Sequence, residues 1–275
     1  MKDLPLKKPM FFIGQEMEQG RLFHTTTSSI AVFSSRSPDK ETLNEDCAML
    51  VPLKDNACVL VVADGAGGQR AGSQASQIAV QAMHDAIKGS KGIDTGLRGA
   101  ILNGIENANR DVMALGLGAY TTLAVVEVQG NTIRPYHVGD SEILITGQRG
   151  KVKLQTLSHA PVAYAVEAGL LDQHEAMHHE ERHIVTNMIG SVDMRIDIGP
   201  QIEMTARDTL VIGSDGLYDN LLPEEIINGI RKGSLRKALH SLSEGCQHHM
   251  QNPDGKHPSK PDDLTFIIIR LINKK

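Results

Sequence analysis

Cysteine is scarce in this sequence of 275 residues, and this scarcity excludes two kinds of scaffold. The three cysteines, Cys47, Cys58 and Cys246, are too few and too scattered for a disulfide framework or a zinc ribbon. Cys58 lies in the apolar run ACVLVVA, where we expect a small buried side chain and not a reactive thiol. Such cysteine usage is typical of a reducing compartment, so we expect a cytoplasmic location.

The sequence also has no basic excess and no long apolar run. Its net charge is −5 at pH 7, whereas a general nucleic-acid binder usually carries an excess of lysine and arginine. A membrane span needs about 18 consecutive apolar residues, and the sequence has no such run. The first residues include no apolar stretch long enough for a signal peptide. We therefore expect a protein that binds neither nucleic acid nor membrane.

What the sequence does contain is a series of short apolar segments of strand length, rich in Val and Ile. They are CAMLVPL, ACVLVVA, TLAVVEV, TIRPYHV, EILIT, DTLVIG and LTFIIIRLI. Apolar residues recur at helical spacing over residues 71–88 and 97–114, and a further helical pair follows at 223–232 and 234–250. Because the strands occur in groups and do not alternate with helices, the pattern predicts an α+β fold with largely antiparallel sheets.

We expect a single domain over residues 28–273, preceded by an irregular N-terminal lead-in over residues 1–27. Residues 155–190 interrupt the strands with a polar, histidine-rich segment, which we expect to form a flap. The sequence contains no internal repeat and no low-complexity tract.

Acidic residues stand at the ends or beginnings of the predicted strands. In an antiparallel sheet the end of one strand lies beside the beginning of its neighbour, so these residues can gather along one edge. Such a cluster would repel itself unless cations neutralised it, and carboxylate oxygens suit Mg²⁺ or Mn²⁺. Any one of these residues alone is better explained as a turn residue, so the prediction rests on their joint placement. They are Glu45, Asp46, Asp64, Asp140, Asp215, Asp262 and Asp263.

Taken in order, these segments resemble the motif set of the type-2C, metal-dependent Ser/Thr protein phosphatases, in particular the bacterial members. The resemblance covers residues 28–272. It implies two central antiparallel β-sheets in a sandwich flanked by α-helices, with a metal cluster at one end. The matching motifs are NED at 44–46, VVADGAGGQRAGSQAS at 61–76, TTLAVV from 121, HVGDS at 137–141, SDGLYD at 214–219 and PDDLTFIII at 261–269.

The resemblance implies that two ions, Mn²⁺ or Mg²⁺, are held by acidic residues. Asp64 would bridge both ions, and the carbonyl oxygen of Gly65 would bind one of them. Asp215 and Asp262 would hold the second ion. Asp140 would help to bind a third ion, as in bacterial relatives.

Three further acidic residues would support these ligands. Glu45 and Asp46 would orient metal-bound waters. Asp263 stands where the family often has asparagine, so it would support the residues that bind the ions and would not bind an ion itself.

The implied reaction is direct hydrolysis of phosphoserine or phosphothreonine in a protein, with the substrate supplied by an opposing Ser/Thr kinase. Two metal ions would lower the pKa of a bridging water, which attacks phosphorus in line. The family's phosphate-gripping arginine is replaced here by Glu41, so we expect Arg36 or Lys40 to contact the phosphate. A lysine would lack the bidentate geometry of arginine. Ala66 stands where many members carry histidine.

Two other functions are compatible with parts of the sequence. HEAMH at 174–178 matches the H-E-x-x-H pattern of zinc peptidases, but its surroundings are polar on all sides, as expected of a solvated face of the flap. A catalytically weak regulatory module that binds phosphoproteins would keep the same fold and lose its metals. The presence of Asp64, Asp215 and Asp262 argues against that alternative.

Overall fold

The structure is a computed structural model, and it describes residues 3–38, 40–66, 71–89, 96–116 and 118–272. Residues 67–70 of the second motif and residue 273 of the predicted domain lie outside the described residues. The strands are β1 (Asp3–Pro5), β2 (Met10–Ile13), β3 (Arg21–His24), β4 (Ser28–Ser35), β5 (Cys47–Pro52), β6 (Ala57–Ala63), β7 (Gly65–Ala66), β8 (Tyr120–Thr121), β9 (Leu123–Gln129), β10 (Thr132–Val138), β11 (Glu142–Thr146), β12 (Val152–Gln155), β13 (Asp197–Ile198), β14 (Ile202–Glu203), β15 (Thr209–Gly213) and β16 (Leu264–Leu271).

The helices are α1 (Ala71–Gly89), α2 (Gly96–Met113), α3 (Pro161–Glu167), α4 (Gln173–Met177), α5 (Asp215–Tyr218), α6 (Pro223–Ile230) and α7 (Leu235–Gln251). None of these helices, within the part of the chain that the structure describes, is both long and apolar enough to cross a membrane.

Two large sheets form the centre of the molecule. The first has the strand order β1-β3-β4-β16-β15-β11-β12, and the second has the order β13-β10-β9-β6-β5-β2, with β14 also paired to β10. The pairs at the centre of both sheets are antiparallel, whereas β1 and β3 at one edge run parallel. The strands β7 and β8 form a separate small sheet.

The alternation of side chains along β5 shows how the layers are assembled. Ala48 and Leu50 belong to the core that lies between the two sheets. Cys47, Met49 and Val51 point to the opposite face and pack with residues of α1 and α2. Because α7 packs against β4 and β16 of the first sheet, helices cover both outer faces. The expected α+β sandwich flanked by helices is confirmed.

The expectation of an irregular lead-in over residues 1–27 was wrong. β2 pairs with β5, and Phe12 is fully buried against the second sheet. β1 and β3 extend the first sheet, where Phe23 pairs with Ile30 of β4. Each of these strands has only three or four residues, too few for a period-two pattern to be recognised. Their strand conformation comes from the sheet edges with which they pair.

The predicted flap, residues 155–190, joins β12 to β13 and contains α3 and α4. Its H-E-x-x-H histidines, His174 and His178, are exposed, and their rings contact each other at a centroid distance of 4.6 Å. Glu175 caps α4: its carboxylate accepts a hydrogen bond from the amide of Asp172 at 3.0 Å. This hydrogen bond gives Glu175 a structural role at the start of α4.

Candidate metal centre

Strand pairing in the second sheet brings two of the predicted acidic residues together. Cys47 of β5 pairs with Ala63 of β6. Asp46, which precedes β5, and Asp64, which follows β6, therefore lie beside each other just beyond the paired residues. The backbone of Asp64 is fixed from its other side, because its amide donates to Oγ1 of Thr122 at 3.0 Å.

The first sheet contributes the residues around β15 and β16, which pair antiparallel. Asp215 follows β15 and Asp262 precedes β16, so both lie at the same end of that sheet. The hydroxyl group of Ser214 donates a hydrogen bond to Oδ2 of Asp46 at 2.8 Å. This bond joins the two sheets where their acidic residues meet.

Asp64 lies at the centre of the cluster, as its electrostatics show. Burial raises the pKa of Asp64 well above its ordinary value, and the charges of Asp46, Asp215, Asp262 and Asp140 raise it further. Carboxylates that influence one another in this way are close in space. The structure thus brings together the residues that the sequence predicts as metal ligands.

The cluster contains carboxylate oxygens that no protein group satisfies. Oε1 of Glu45, Oδ1 of Asp46 and Oδ1 of Asp215 are buried and have no hydrogen-bond partner among the described residues. Burial, followed by the charge of Asp215, raises the pKa of Asp262 to about 7. Buried carboxylates without partners destabilise a protein. A hard divalent cation would neutralise their mutual repulsion and bind the oxygens that lack a hydrogen-bond partner. These residues fit Mg²⁺ or Mn²⁺.

Gly65 and Gly72 allow the backbone to approach the cluster closely. A Cβ atom on Gly65 would lie 2.3 Å from the carbonyl oxygen of Gly72. A Cβ atom on Gly72 would lie 2.7 Å from the carbonyl oxygen of Gly65 and 2.8 Å from Oε1 of Glu45. Only glycine fits at both positions. The close approach of Gly65 and Gly72 leaves the Gly65 carbonyl near the side chain of Glu45, which belongs to the cluster.

Asp263 is saturated by protein donors and organises the loop that precedes β5. One of its carboxylate oxygens accepts from the amide of Ser37 at 2.8 Å. The other accepts from the amide of Glu45 at 2.7 Å and from the ammonium group of Lys40 at 2.6 Å. Lys40 also contacts Oε2 of Glu45 at 2.9 Å. Burial would lower the pKa of Lys40, but these hydrogen bonds outweigh it and raise the pKa.

Arg36, the other predicted phosphate contact, lies on the same loop with different partners. Nε of Arg36 lies 3.4 Å from Oε2 of Glu16, and its NH1 group donates to the carbonyl of Thr42 at 3.5 Å. Its side chain is 38% exposed, so the guanidinium group remains accessible to a ligand.

Sequence reasoning missed a cation within the cluster, the ammonium group of Lys260. This group contacts Asp215, lies 2.9 Å from Oδ2 of Asp219 and lies 3.2 Å from Oδ2 of Asp262. Burial opposes its charge, but the carboxylates outweigh burial and hold the pKa of Lys260 well above its usual value. Asp219 is the last residue of the SDGLYD motif, so the sequence contained a signal that it belongs to the site. No sequence pattern indicated Lys260.

Asp140 lies on the side of the cluster that Asp219 occupies. Burial raises the pKa of Asp140 well above its ordinary value, and the charges of Asp215 and Asp219 raise it further, whereas Lys260 lowers it. The adjoining Ser141 is fully buried, and its hydroxyl group shares a 2.7 Å hydrogen bond with that of Thr122. Asp140 thus belongs to the acidic cluster and lies close to the Lys260 ammonium group.

Known proteins with similar sequences share this architecture. A model of the family described as protein phosphatase 2C matches residues 37–251 of the chain. Protein phosphatase PhpP of Streptococcus pneumoniae is 33% identical over 196 residues, which make up 68% of this chain and 78% of that protein.

Solved structures agree with the sequence comparison. A serine/threonine phosphatase of S. agalactiae superposes with a TM-score of 0.75 at 28% identity, over 89% of this chain and 100% of that one. The catalytic domain of the serine/threonine protein phosphatase PstP, in complex with two manganese ions, superposes with a TM-score of 0.69 at 25% identity. This match covers 90% of this chain and 99% of that one. The chain belongs to the protein phosphatase 2C family.

Proposed function

We propose that the acidic cluster binds two Mn²⁺ or Mg²⁺ ions and is the centre at which this metal-dependent phosphatase hydrolyses phosphoserine and phosphothreonine in proteins. The observation that carries the proposal is a set of three buried oxygens, on Glu45, Asp46 and Asp215, which have no hydrogen-bond partner within the part of the chain that the structure describes. Glu45 and Asp46 precede β5 of the second sheet and Asp215 follows β15 of the first, so ions and their bound waters among these residues would also join the two halves of the sandwich.

The chain's own residues divide into ligands and supports. Asp64, the Gly65 carbonyl, Asp215 and Asp262 would hold the ions. When bound, two divalent ions activate a water for attack on phosphorus and neutralise charge on the phosphoryl oxygens. Asp263 holds the Glu45 amide and the Lys40 ammonium group in place, and both of its oxygens are engaged by protein donors.

For Glu45 and Asp46 we propose a role in orienting water. Each has one oxygen engaged, by Lys40 and by Ser214 respectively, and one oxygen without a partner among the described residues. The engaged oxygen fixes the side chain, and the other can accept a hydrogen bond from water. Orientation of the attacking water is the chemistry we assign to this pair.

A cysteine nucleophile does not fit this chain. Cys47, Cys58 and Cys246 are all unpaired and buried. Burial raises the pKa of the Cys47 and Cys58 thiols to about 12, so neither is ionised near neutral pH. The proposed reaction is hydrolysis by water, which needs no cysteine and no covalent phosphoenzyme.

For the substrate phosphate, we propose contacts from Arg36 and Lys40. The Lys40 ammonium group lies at the edge of the cluster and is 23% exposed, so a phosphate beside the ions could reach it. We place a third ion, if the centre takes one, beside Asp140, where it would compete with Lys260. Oxygen ligands alone do not separate Mg²⁺ from Mn²⁺.

The test is hydrolysis of p-nitrophenyl phosphate and of a phosphothreonine peptide with Mn²⁺, with Mg²⁺ and with EDTA. We expect metal-dependent activity that is lost in Asp64→Asn and Asp215→Asn. Asp55→Asn is the matched control, because Asp55 is an exposed turn residue with a positive φ that asparagine tolerates. Absence of activity with every metal, together with absence of metal uptake, would instead support a module that binds phosphoproteins without cleaving them.

We further propose that the chain opposes a Ser/Thr kinase in the cytoplasm. The unpaired state of all three cysteines supports a reducing compartment. Deletion of the protein should raise phosphorylation of the targets that it shares with the kinase. An unchanged phosphoproteome would contradict this partnership.

A further inference from the structure

Lys260 places a positive charge where the proposed function places a metal ion. Its ammonium group contacts Asp215 and lies 3.2 Å from Asp262, the two residues proposed to hold the second ion. Its third partner, Asp219 at 2.9 Å, is outside that ligand set. One lysine therefore bridges two proposed ligands and one carboxylate that no ion requires.

The backbone of Lys260 is fixed, so only its side chain is free to respond. The Lys260 amide donates to Oδ1 of Asn220 at 2.8 Å, and Nδ2 of Asn220 donates to the Lys260 carbonyl at 2.8 Å. Nδ2 of Asn220 also donates to the carbonyl of Gly216 at 3.0 Å, and Asn220 is fully buried. This clamp ties the turn that carries Asp215 and Asp219 to the segment that leads to Asp262.

We propose that Lys260 is a built-in counter-ion of the metal centre, which neutralises Asp215 and Asp262 in the metal-free protein and is retained by Asp219 when these two residues take up an ion. The proposal rests on the proposed function, because it takes Asp215 and Asp262 as metal ligands. It makes Lys260 a positioning residue that sets metal affinity and does not touch the reacting atoms.

The contacts explain how such an exchange can occur. Oδ2 of Asp215 faces Lys260, whereas its Oδ1 is buried and unpartnered among the described residues, which leaves that oxygen available to an ion. A lysine side chain has four rotatable carbon bonds, so its ammonium group can leave one carboxylate while it stays on a neighbouring one. Asp219 is one helical turn from Asp215, since its amide donates to the Asp215 carbonyl at 2.7 Å.

The proposal also bears on how many ions the centre holds. An ion on the Asp140 side would be held by Asp140 and Asp215. Asp215 contacts Lys260, and the charge of Lys260 also lowers the pKa of Asp140. A further divalent ion there would meet the repulsion of the ammonium group. We therefore expect the wild-type centre to take two ions tightly and a third only when Lys260 is removed.

The experiment is calorimetric titration of Mn²⁺ into the metal-free full chain, with the ion count checked by elemental analysis. Lys260→Met should bind Mn²⁺ about tenfold more tightly, which is the size of one charge contact at about 3 Å in a water-like dielectric. Asp219→Asn should bind it several-fold more weakly, because Lys260 then has only the two ligands as partners. In the double variant the Asp219→Asn effect should vanish.

Controls separate this role from a merely structural one. Lys260→Arg keeps the charge and should restore weak, wild-type-like binding. Lys153→Met removes another part-buried lysine, one that pairs with Asp208, and should leave Mn²⁺ affinity unchanged. The proposal is overturned if wild type binds Mn²⁺ in an Asp64-dependent way and the Lys260 and Asp219 variants bind equally well. If wild type binds no Mn²⁺ at all, the proposed function itself fails.

Discussion

Neutralising one buried carboxylate of the cluster should make the metal-free protein more stable. Asp46 is fully buried, and its Oδ1 has no partner among the described residues. Burial, and then the charges of Asp263, Asp262 and Asp215, raise its pKa well above the ordinary value, against the smaller effect of the Ser214 hydrogen bond. Asp46→Asn keeps the shape and the Ser214 contact and removes the charge.

The size and sign of the effect follow from this environment. Asp46→Asn leaves a polar group at this position but removes its charge, and an unsatisfied buried charge costs about 1–3 kcal/mol or more, so the variant should gain at least about 1 kcal/mol at pH 8. For a chain of this size a gain of about 1–3 kcal/mol raises Tm by about 2–5 °C. Because the folded-state pKa is raised, wild type loses stability as pH rises through that pKa, and the difference should shrink toward pH 4.

The assay is thermal unfolding in EDTA at pH 8 and at pH 4, with Asp208→Asn as the matched control. Asp208 is equally buried, but its Oδ2 accepts from the Thr205 amide at 2.7 Å and contacts the Lys153 ammonium group. Its neutralisation should therefore destabilise the protein, by about 2 kcal/mol or more, because it leaves a lysine unpaired. A lower metal-free Tm for Asp46→Asn than for wild type at pH 8 would refute the reasoning.

Two further predictions concern packing and pH. Gly72→Ala should destabilise the fold by about 1–3 kcal/mol and weaken Mn²⁺ binding, because its Cβ would lie 2.7 Å from the Gly65 carbonyl oxygen. The control is Gly89→Ala at the end of α1, where a Cβ would lie in open space and should have neither effect. Equal urea midpoints for the two variants would count against the close contact. Burial raises the pKa of Glu142 to about 7, so its folded form retains a proton that the unfolded chain releases near 4.5, and stability is lost as pH rises between these values. Glu142→Gln should remove this slope and gain up to about 3 kcal/mol at pH 8, and parallel pH–stability curves for variant and wild type would contradict the raised pKa.

The acidic cluster could be predicted because it depends on local patterns. A buried strand is recognised by its apolar run, and an aspartate directly after the run, as at Asp64 and Asp215, must lie at the end of the strand. Antiparallel pairing then brings the ends of some strands to the beginnings of others, as with Asp64 and Asp46. The resemblance to the type-2C phosphatases, confirmed by the comparisons, supplied the chemistry that these positions alone left open.

Other contacts depend on segments far apart in the chain. β2 is a strand because the edge of β5 accepts it, which no property of MFFI by itself indicates. The Ser214–Asp46 bond joins residues of different sheets and exists only once the sandwich has formed. In each case the partner lies many residues away, so no window of sequence contains both sides of the interaction.

The sequence by itself determined the long central strands, which of them end in carboxylates and which family the chain resembles, because these features depend on residue type and short-range spacing. Only the tertiary structure decided that Lys260 enters the acidic cluster and that Asp263 is engaged by Lys40, Ser37 and Glu45. It also decided that three buried carboxylate oxygens have no partner in the described ranges of the chain. Burial and pairing are properties of the assembled molecule, since they depend on what surrounds a side chain in space and not on its neighbours along the chain.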